Sequence, residues 1–424
     1  MSPPAPKRVG VVLAGAGARG AYEAGVLSVV LPTMAEADIR PDLYVGTSAG
    51  AINAALFTAT AHLPAEEQAA TVLETWRGIS SRDVFRSFLR TGPTTLVQWT
   101  TQLLGLPGAR LTGLLDTGPL HETAARLLDW DQLRSNVDRG LAAVAVVTTS
   151  AASDRTAVFV DRPDTSPLPE TDQGRGIDYV AASLTAEHVL ASAAIPVAFP
   201  PVRVTEPSSA AGWYFDGGVR LNTPLKPALA LGAEALVVVA THPASYPDGP
   251  LVSDASEDPP DVDDVLVRVM DAALVDRMVE DVHTLARTNE LVAGGGQRRR
   301  GRRRLAVVPY LFVGPVERGT LGRVAAHCYD ERYRGARGVL RRANELDQRL
   351  LGRFLGGDGD RRGDLLSYLQ FENGFMSAAI DLGRADAVRT IAATDPGDIP
   401  WRLADPPEVI GGDLTGRRGT SEGP

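Results

Sequence analysis

The sequence predicts an α/β fold in which a mostly parallel sheet carries helices on its faces. Three observations predict it. Two short apolar runs, Val9–Leu13 and residues 43–45, are each followed by a glycine motif and then by a helix-like stretch. A third run, residues 235–240, is apolar throughout and contains three valines in a row. Short apolar runs without polar alternation belong to strands buried on both faces, which is the habit of parallel sheets. The repeated order of strand, turn and helix brings the chain back to one sheet by crossover connections.

The elements follow in order. Val9–Leu13 is the first strand, residues 21–37 a helix, 43–45 the second strand and 49–60 an Ala-rich helix. Residues 65–135 read as helices and loops in which Phe85, Phe88, Leu89, Leu96, Trp99, Leu103 and Leu104 recur, an apolar content suited to a lid. Strands return at 141–148 and 155–160, a helix at 185–194, and a short strand at 213–215 that ends at Asp216-Gly217-Gly218. A helix at 225–231 leads to the strand at 235–240, which ends at Thr241-His242. After a Pro/Asp/Ser-rich loop come a long periodic helix at 265–292, a Gly/Arg loop at 294–304 and a closing strand at 305–313. Helical pieces at 333–351 and 375–382 make up a C-terminal extension, 316–410, and residues 411–424 have the composition of a disordered tail.

Composition narrows the classes of function. The chain of 424 residues is 44% hydrophobic, enough for a large core, and its net charge of −9 argues against nucleic-acid binding by bulk charge. Arginine supplies nearly all the positive charge; the lysines are Lys7 and Lys226. Cys328 is the single cysteine, so neither an internal disulfide nor a Cys-based metal site is expected, and no metal or cofactor is called for. The opening residues lack the long apolar stretch of a signal peptide, and no run of 18 apolar residues occurs. A cytoplasmic protein is expected, with peripheral membrane contact open. The arginine-rich stretch 298–304 offers a local cationic patch for such contact, or a solvated loop.

Gly15-Ala16-Gly17-Ala18-Arg19-Gly20 has the spacing of a dinucleotide fingerprint. That reading needs an acidic residue at the end of the second strand to hold the ribose, yet Asp38 and Asp42 both precede that strand. No Gly-Lys-Ser/Thr follows, so a Walker phosphate loop fails too. An anion site and plain tight strand–helix packing remain. Gly46-Thr47-Ser48-Ala49-Gly50 fits a nucleophile elbow: two glycines let strand and helix approach closely, and the serine projects from the turn above a helix N-terminus. The alternative is a turn with Ser48 as an N-cap. Two residues compete as base. His242 and Asp216 both end strands, where a parallel sheet builds its site; each also has an ordinary reading, His242 as a satisfied histidine and Asp216 as a turn former.

These motifs together resemble the patatin-like phospholipases. Residues 13–27 (LAGAGARGAYEAGVL) resemble the family's oxyanion segment, Gly46 to Gly50 its nucleophile elbow, and Asp216-Gly217-Gly218 its Asp-Gly-Gly/Ala motif. Residues 114–120, 191–202 and 217–225 match its style, and order and spacing agree over residues 8–315, the expected catalytic domain. One departure is Ala16, where the family often has glycine; a backbone donor survives that exchange. The resemblance implies a three-layer α/β/α patatin-like fold and a Ser–Asp dyad without histidine. Ser48 is then the nucleophile and Asp216 the general base and acid. Backbone groups of Gly15, Ala16, Gly17, Ala18, Arg19 and Gly20 line the oxyanion and substrate-binding loop, and Gly46, Gly50, Gly217 and Gly218 support the two motifs. The implied substrate is a lipid acyl ester. Acyl transfer to an acceptor other than water uses the same intermediate, and a lipid-binding protein with a vestigial site is the non-enzymatic alternative. Arg19 could meet a substrate phosphate or form a surface salt bridge.

Overall fold

The computed structural model describes residues 6, 8–84, 117–163, 167–196, 198–244, 276–294, 299–300, 303–304, 306–332, 362–392, 394 and 398–405. The expected helix at 333–351, most of the apolar lid-like stretch and the tail from 411 lie outside these residues.

The chain opens with β1 (Val9–Leu13), α1 (Gly20–Glu36), β2 (Leu43–Thr47), α2 (Ala49–Ala59) and α3 (Ala65–Gly78). Short α4 (Ser81–Val84), α5 (Gly118–Leu127) and α6 (Trp130–Asp138) lead to β3 (Ala143–Ser150), β4 (Thr156–Asp161) and β5 (Ile177–Ala181). Then come α7 (Ala186–Ser192), β6 (Val202–Val204), β7 (Gly212–Asp216), α8 (Gly218–Leu221), α9 (Leu225–Ala230) and β8 (Ala235–Val239). The remainder holds α10 (Asp276–Ala293), the pair β9 (Arg299–Arg300) and β10 (Arg303–Arg304), β11 (Tyr310–Val313), α11 (Thr320–Arg332), α12 (Arg362–Leu369) and α13 (Asn373–Ile391).

The sheet order is β11-β8-β1-β2-β3-β4-β5, with β7 beside β3 and β6 beside β7. Pairing from β11 through β3 is parallel; β4, β7 and β6 join in antiparallel sense. The mixed α/β fold with its mostly parallel sheet is therefore as the sequence predicts. Successive side chains of β1 alternate between two cores, because strand side chains have a period of two. Val9, Val11 and Leu13 pack under α1, α2 and α13; Val12 packs against α9 and α10 on the other face. Both faces are thus covered, which is why these strands are apolar at every position.

Four elements differ from expectation. Strands β5 and β6 have no distinct sequence signature: β5 is a half-exposed edge carrying Asp178, and β6 is three residues long. The expected Gly/Arg loop contains the antiparallel pair of β9 and β10. The closing strand begins at Tyr310 rather than 305, where pairing with Leu236 of β8 starts.

Helix α1 is apolar around most of its circumference, the mark of a helix enclosed by protein. Its inner side meets the sheet, and α3 and α13 cover its outside. One polar bond crosses the seam between α1 and α13: the buried Tyr22 hydroxyl donates to Asp386 Oδ2 at 2.7 Å, and Arg389 pairs with the other carboxylate oxygen. Asp386→Ala strands a fully buried phenol hydroxyl, so thermal unfolding is expected to show a loss of about 2 kcal/mol. Tyr22→Phe in the same background should recover part of it.

Candidate active site

Strand β3 continues past the point where β2 leaves it. The last β2 pairing is Thr47 with Val147. From Thr148 onward the same edge of β3 is taken by β7, arriving from the opposite direction and ending with Asp216 opposite Thr148. The C-terminal ends of β2 and β7 therefore meet head-on, and Ser48 and Asp216 face one another there. The two residues are 168 positions apart in sequence, and each is only 5% exposed.

Ser48 has φ +55° and ψ −125°, a conformation that side chains other than glycine rarely adopt. Its hydroxyl does not cap α2, as an ordinary N-cap serine would. It stands instead near the Asp216 carboxylate, whose pKa it draws down. The turn is held from below by Ser192 of α7, whose hydroxyl accepts from the Ser48 N–H at 2.8 Å and donates to the Val147 carbonyl at 2.6 Å. Sequence reasoning placed Ser192 in the family-like stretch 191–202 but gave it no role of its own, because its partners lie far away in the chain. The flanking glycines are sterically required. A Cβ on Gly46 would lie 2.1 Å from the Gly50 carbonyl oxygen, and one on Gly50 would lie 2.5 Å from that of Leu13.

Burial pushes the Asp216 carboxyl up to about 6; the neighbouring Ser48 hydroxyl and the Gly218 N–H, which donates to Oδ1 at 2.7 Å, pull the other way. The group is therefore a better base than a solvated aspartate and is still mostly ionised at neutral pH.

The glycine loop runs beside this pair. Gly15 donates its N–H to the Asn222 carbonyl at 3.0 Å, Arg19 to that of Ala16 at 3.0 Å, and Gly20 to those of Ala18 and Gly17. Among the described residues, no recorded hydrogen bond uses the N–H groups of Ala16, Gly17 or Ala18. These three begin a short 3-10 helix, whose first N–H groups have no acceptor of their own. Gly17 has φ +54°, and a Cβ there would stand 2.3 Å from the Tyr368 carbonyl oxygen. Ala16, at φ −145°, needs no glycine.

Arg19 does not sit in the open, either as a phosphate hook or in a surface salt bridge. It is 1% exposed and points away from the serine into the C-terminal helix α12. Its Nε donates to Ser367 Oγ at 2.7 Å and its Nη2 to the Asp364 carbonyl and carboxylate at 3.0 and 3.2 Å. The guanidinium also lies 4.1 Å from the Tyr368 ring centre. Its Nη1 donates to His242 Nε2 at 3.0 Å, and that nitrogen is 3.0 Å from the Tyr368 hydroxyl. Burial and the positive charges of Arg19 and Arg318 push the His242 imidazolium well below its ordinary pKa, so the ring is neutral. The rival base of the sequence reading is thus occupied in the Arg19 cluster, and among the described residues no hydrogen bond joins it to Ser48.

No group of metal-ligating side chains occurs among the described residues. No helix among them is long and apolar enough to cross a membrane.

No curated protein matches the chain. The solved structures that it resembles include the crystal structure of VipD from Legionella pneumophila, at 12% identity and a TM-score of 0.31, over 92% of this chain and 67% of that one. The family model described as patatin-like phospholipase matches residues 11–229, just over half of the chain. That span holds the glycine loop, Ser48 and Asp216, and the chain belongs to the patatin-like phospholipase family.

Proposed function

We propose that this member of a lipid acyl hydrolase family is active, and that it cleaves acyl esters of (phospho)lipids through Ser48 and Asp216. The observation that carries this reading is the meeting of the β2 and β7 ends, which brings buried Ser48 up to a buried carboxylate whose pKa desolvation has raised to about 6. Asp216 takes the hydroxyl proton as Ser48 Oγ attacks the ester carbonyl carbon. The carbonyl oxygen gains the negative charge, and the N–H groups of Ala16, Gly17 and Ala18 are the donors that receive it. Removing one such donor typically costs about 3 kcal/mol in the transition state. When the tetrahedral intermediate collapses, the bond to the leaving alcohol breaks and Asp216 returns the proton to it. Water then enters, gives a proton to Asp216 and releases the acid from Ser48 by the reverse route.

The arginine-rich stretch 298–304 in an otherwise acidic chain favours peripheral contact with an anionic lipid surface, each arginine near such a surface contributing about 1 kcal/mol.

A fluorophosphonate probe and a phospholipid vesicle assay test the reading together. Wild-type protein is expected to label and to release fatty acid, faster from anionic than from zwitterionic vesicles. Ser48→Ala should do neither, with turnover down by at least about 10⁴-fold. Labelling of the alanine variant would remove Ser48 as the nucleophile.

A further inference from the structure

A narrow apolar pocket, partly open to its surroundings, lies beside Ser48 and has about 40 Å³ of room for water-sized groups. One wall comes from the catalytic core: Ile52 of α2, Trp76 of α3 and Phe199. Trp76 is held there by a buried chain of bonds, its indole N–H donating to Asn53 Oδ1 at 2.6 Å and Asn53 Nδ2 donating to Glu23 Oε2 at 2.9 Å. The opposite wall comes from far along the chain, from Tyr368, Leu369 and Phe371. None of these three lies in the span that carries the family signature, residues 11–229.

This second wall is fastened at both ends. At one end Arg19 of the glycine loop binds Ser367 and Asp364. At the other, Ser81 of α4 donates to the Phe371 carbonyl at 3.1 Å, and Arg332 pairs with Glu372. A wall tied to the oxyanion loop on one side and to α4 on the other does not yield freely to a longer guest. Each water-sized group needs about 10–15 Å³ of such space, so the cavity takes about three or four heavy atoms.

We propose that residues 368–371 form the acyl-chain ruler of this site, with Leu369 and Phe371 setting the chain length that the acyl-enzyme accepts. The occupant is the acyl chain of the ester, since the cavity is apolar and begins at the nucleophile. The ruler rests on the dyad reading above. It adds that esters of short acyl chains, about four to six carbons, are preferred to those of sixteen.

The test is hydrolysis of p-nitrophenyl esters from two to sixteen carbons by the full chain, with thermal melting as a check on folding. Wild type is expected to peak at six carbons or fewer. Leu369→Ala and Phe371→Ala should each move the optimum up by two carbons or more. Leu369→Trp should move it down, lowering the hexanoyl-to-acetyl rate ratio by about tenfold. Opposite shifts from opposite changes of volume are not what a general loss of stability produces. A wild type that prefers sixteen carbons, or variants that stay folded and active with an unchanged profile, overturn the ruler and leave the dyad standing. A wild type that hydrolyses no ester and takes no fluorophosphonate overturns both.

Discussion

Asp216→Asn is expected to lower kcat on any ester substrate by about 10³-fold or more while leaving the fold intact. The amide has the shape of the carboxylate and can still accept the Gly218 N–H through its oxygen, so the turn survives. What it cannot do is take the Ser48 proton. The pH profile supplies a second readout. Only the ionised carboxylate is a base, and desolvation has raised its pKa to about 6. Wild-type kcat/KM should therefore climb as pH rises through about 6, and the residual rate of the variant should lack that limb. Stability runs the other way. A carboxyl whose folded-state pKa is raised adds stability below its unfolded pKa, and that stability is lost as pH rises through about 6. At pH 7 the ionised, desolvated group is a burden of up to about 3 kcal/mol, and the asparagine variant is expected to melt no lower than wild type. A variant that keeps wild-type turnover removes Asp216 from the mechanism.

Gly50→Ala is expected to damage the elbow severely with a single methyl group. Its Cβ would sit 2.5 Å from the Leu13 carbonyl oxygen and 2.6 Å from that of Ala14. These are backbone atoms, and β1 is paired along its length with β2 on one side and β8 on the other, so it has nowhere to retreat. Either α2 lifts off the sheet or the turn at Ser48 opens. The expected cost is about 3 kcal/mol, read as a lower melting temperature, together with loss of fluorophosphonate labelling at temperatures where the rest of the fold persists. Gly78→Ala is the matched control. A Cβ there meets nothing within 4 Å, and at the end of α3 alanine should be neutral or slightly stabilising.

Much of the site is legible in the residues because its parts are local. The glycines at 46 and 50 announce a strand and a helix pressed together, and that close approach is seen in the distances. Asp38 and Asp42 both precede the second strand, so no acidic residue stands where a nucleotide ribose needs one. Arg19 shows the opposite case. Its neighbours in sequence are small and apolar, which leaves its partners unspecified; they come from α12, some 350 positions downstream. Ser192 lies in a stretch that resembles the family, 191–202, but its task is visible only when α7 is packed beneath the elbow.

The sequence by itself determined the α/β class, the nucleophile turn and the backbone loop, because these depend on residues within a few positions of one another and on the two-residue period of buried strands. The family resemblance already implied Asp216 as the partner of the serine; what only the tertiary structure decided is how the two strand ends come together. Asp216 and His242 end strands equally well in the sequence. In the fold, β3 outlives its partner β2 by a few residues and accepts β7 on the vacated edge, so Asp216 stops opposite Thr148, one step from where Ser48 begins. His242, at the end of β8, is drawn instead into the charge field of Arg19. Strand register is a long-range property, set by which apolar faces pack together across the whole sheet, and no local pattern encodes it.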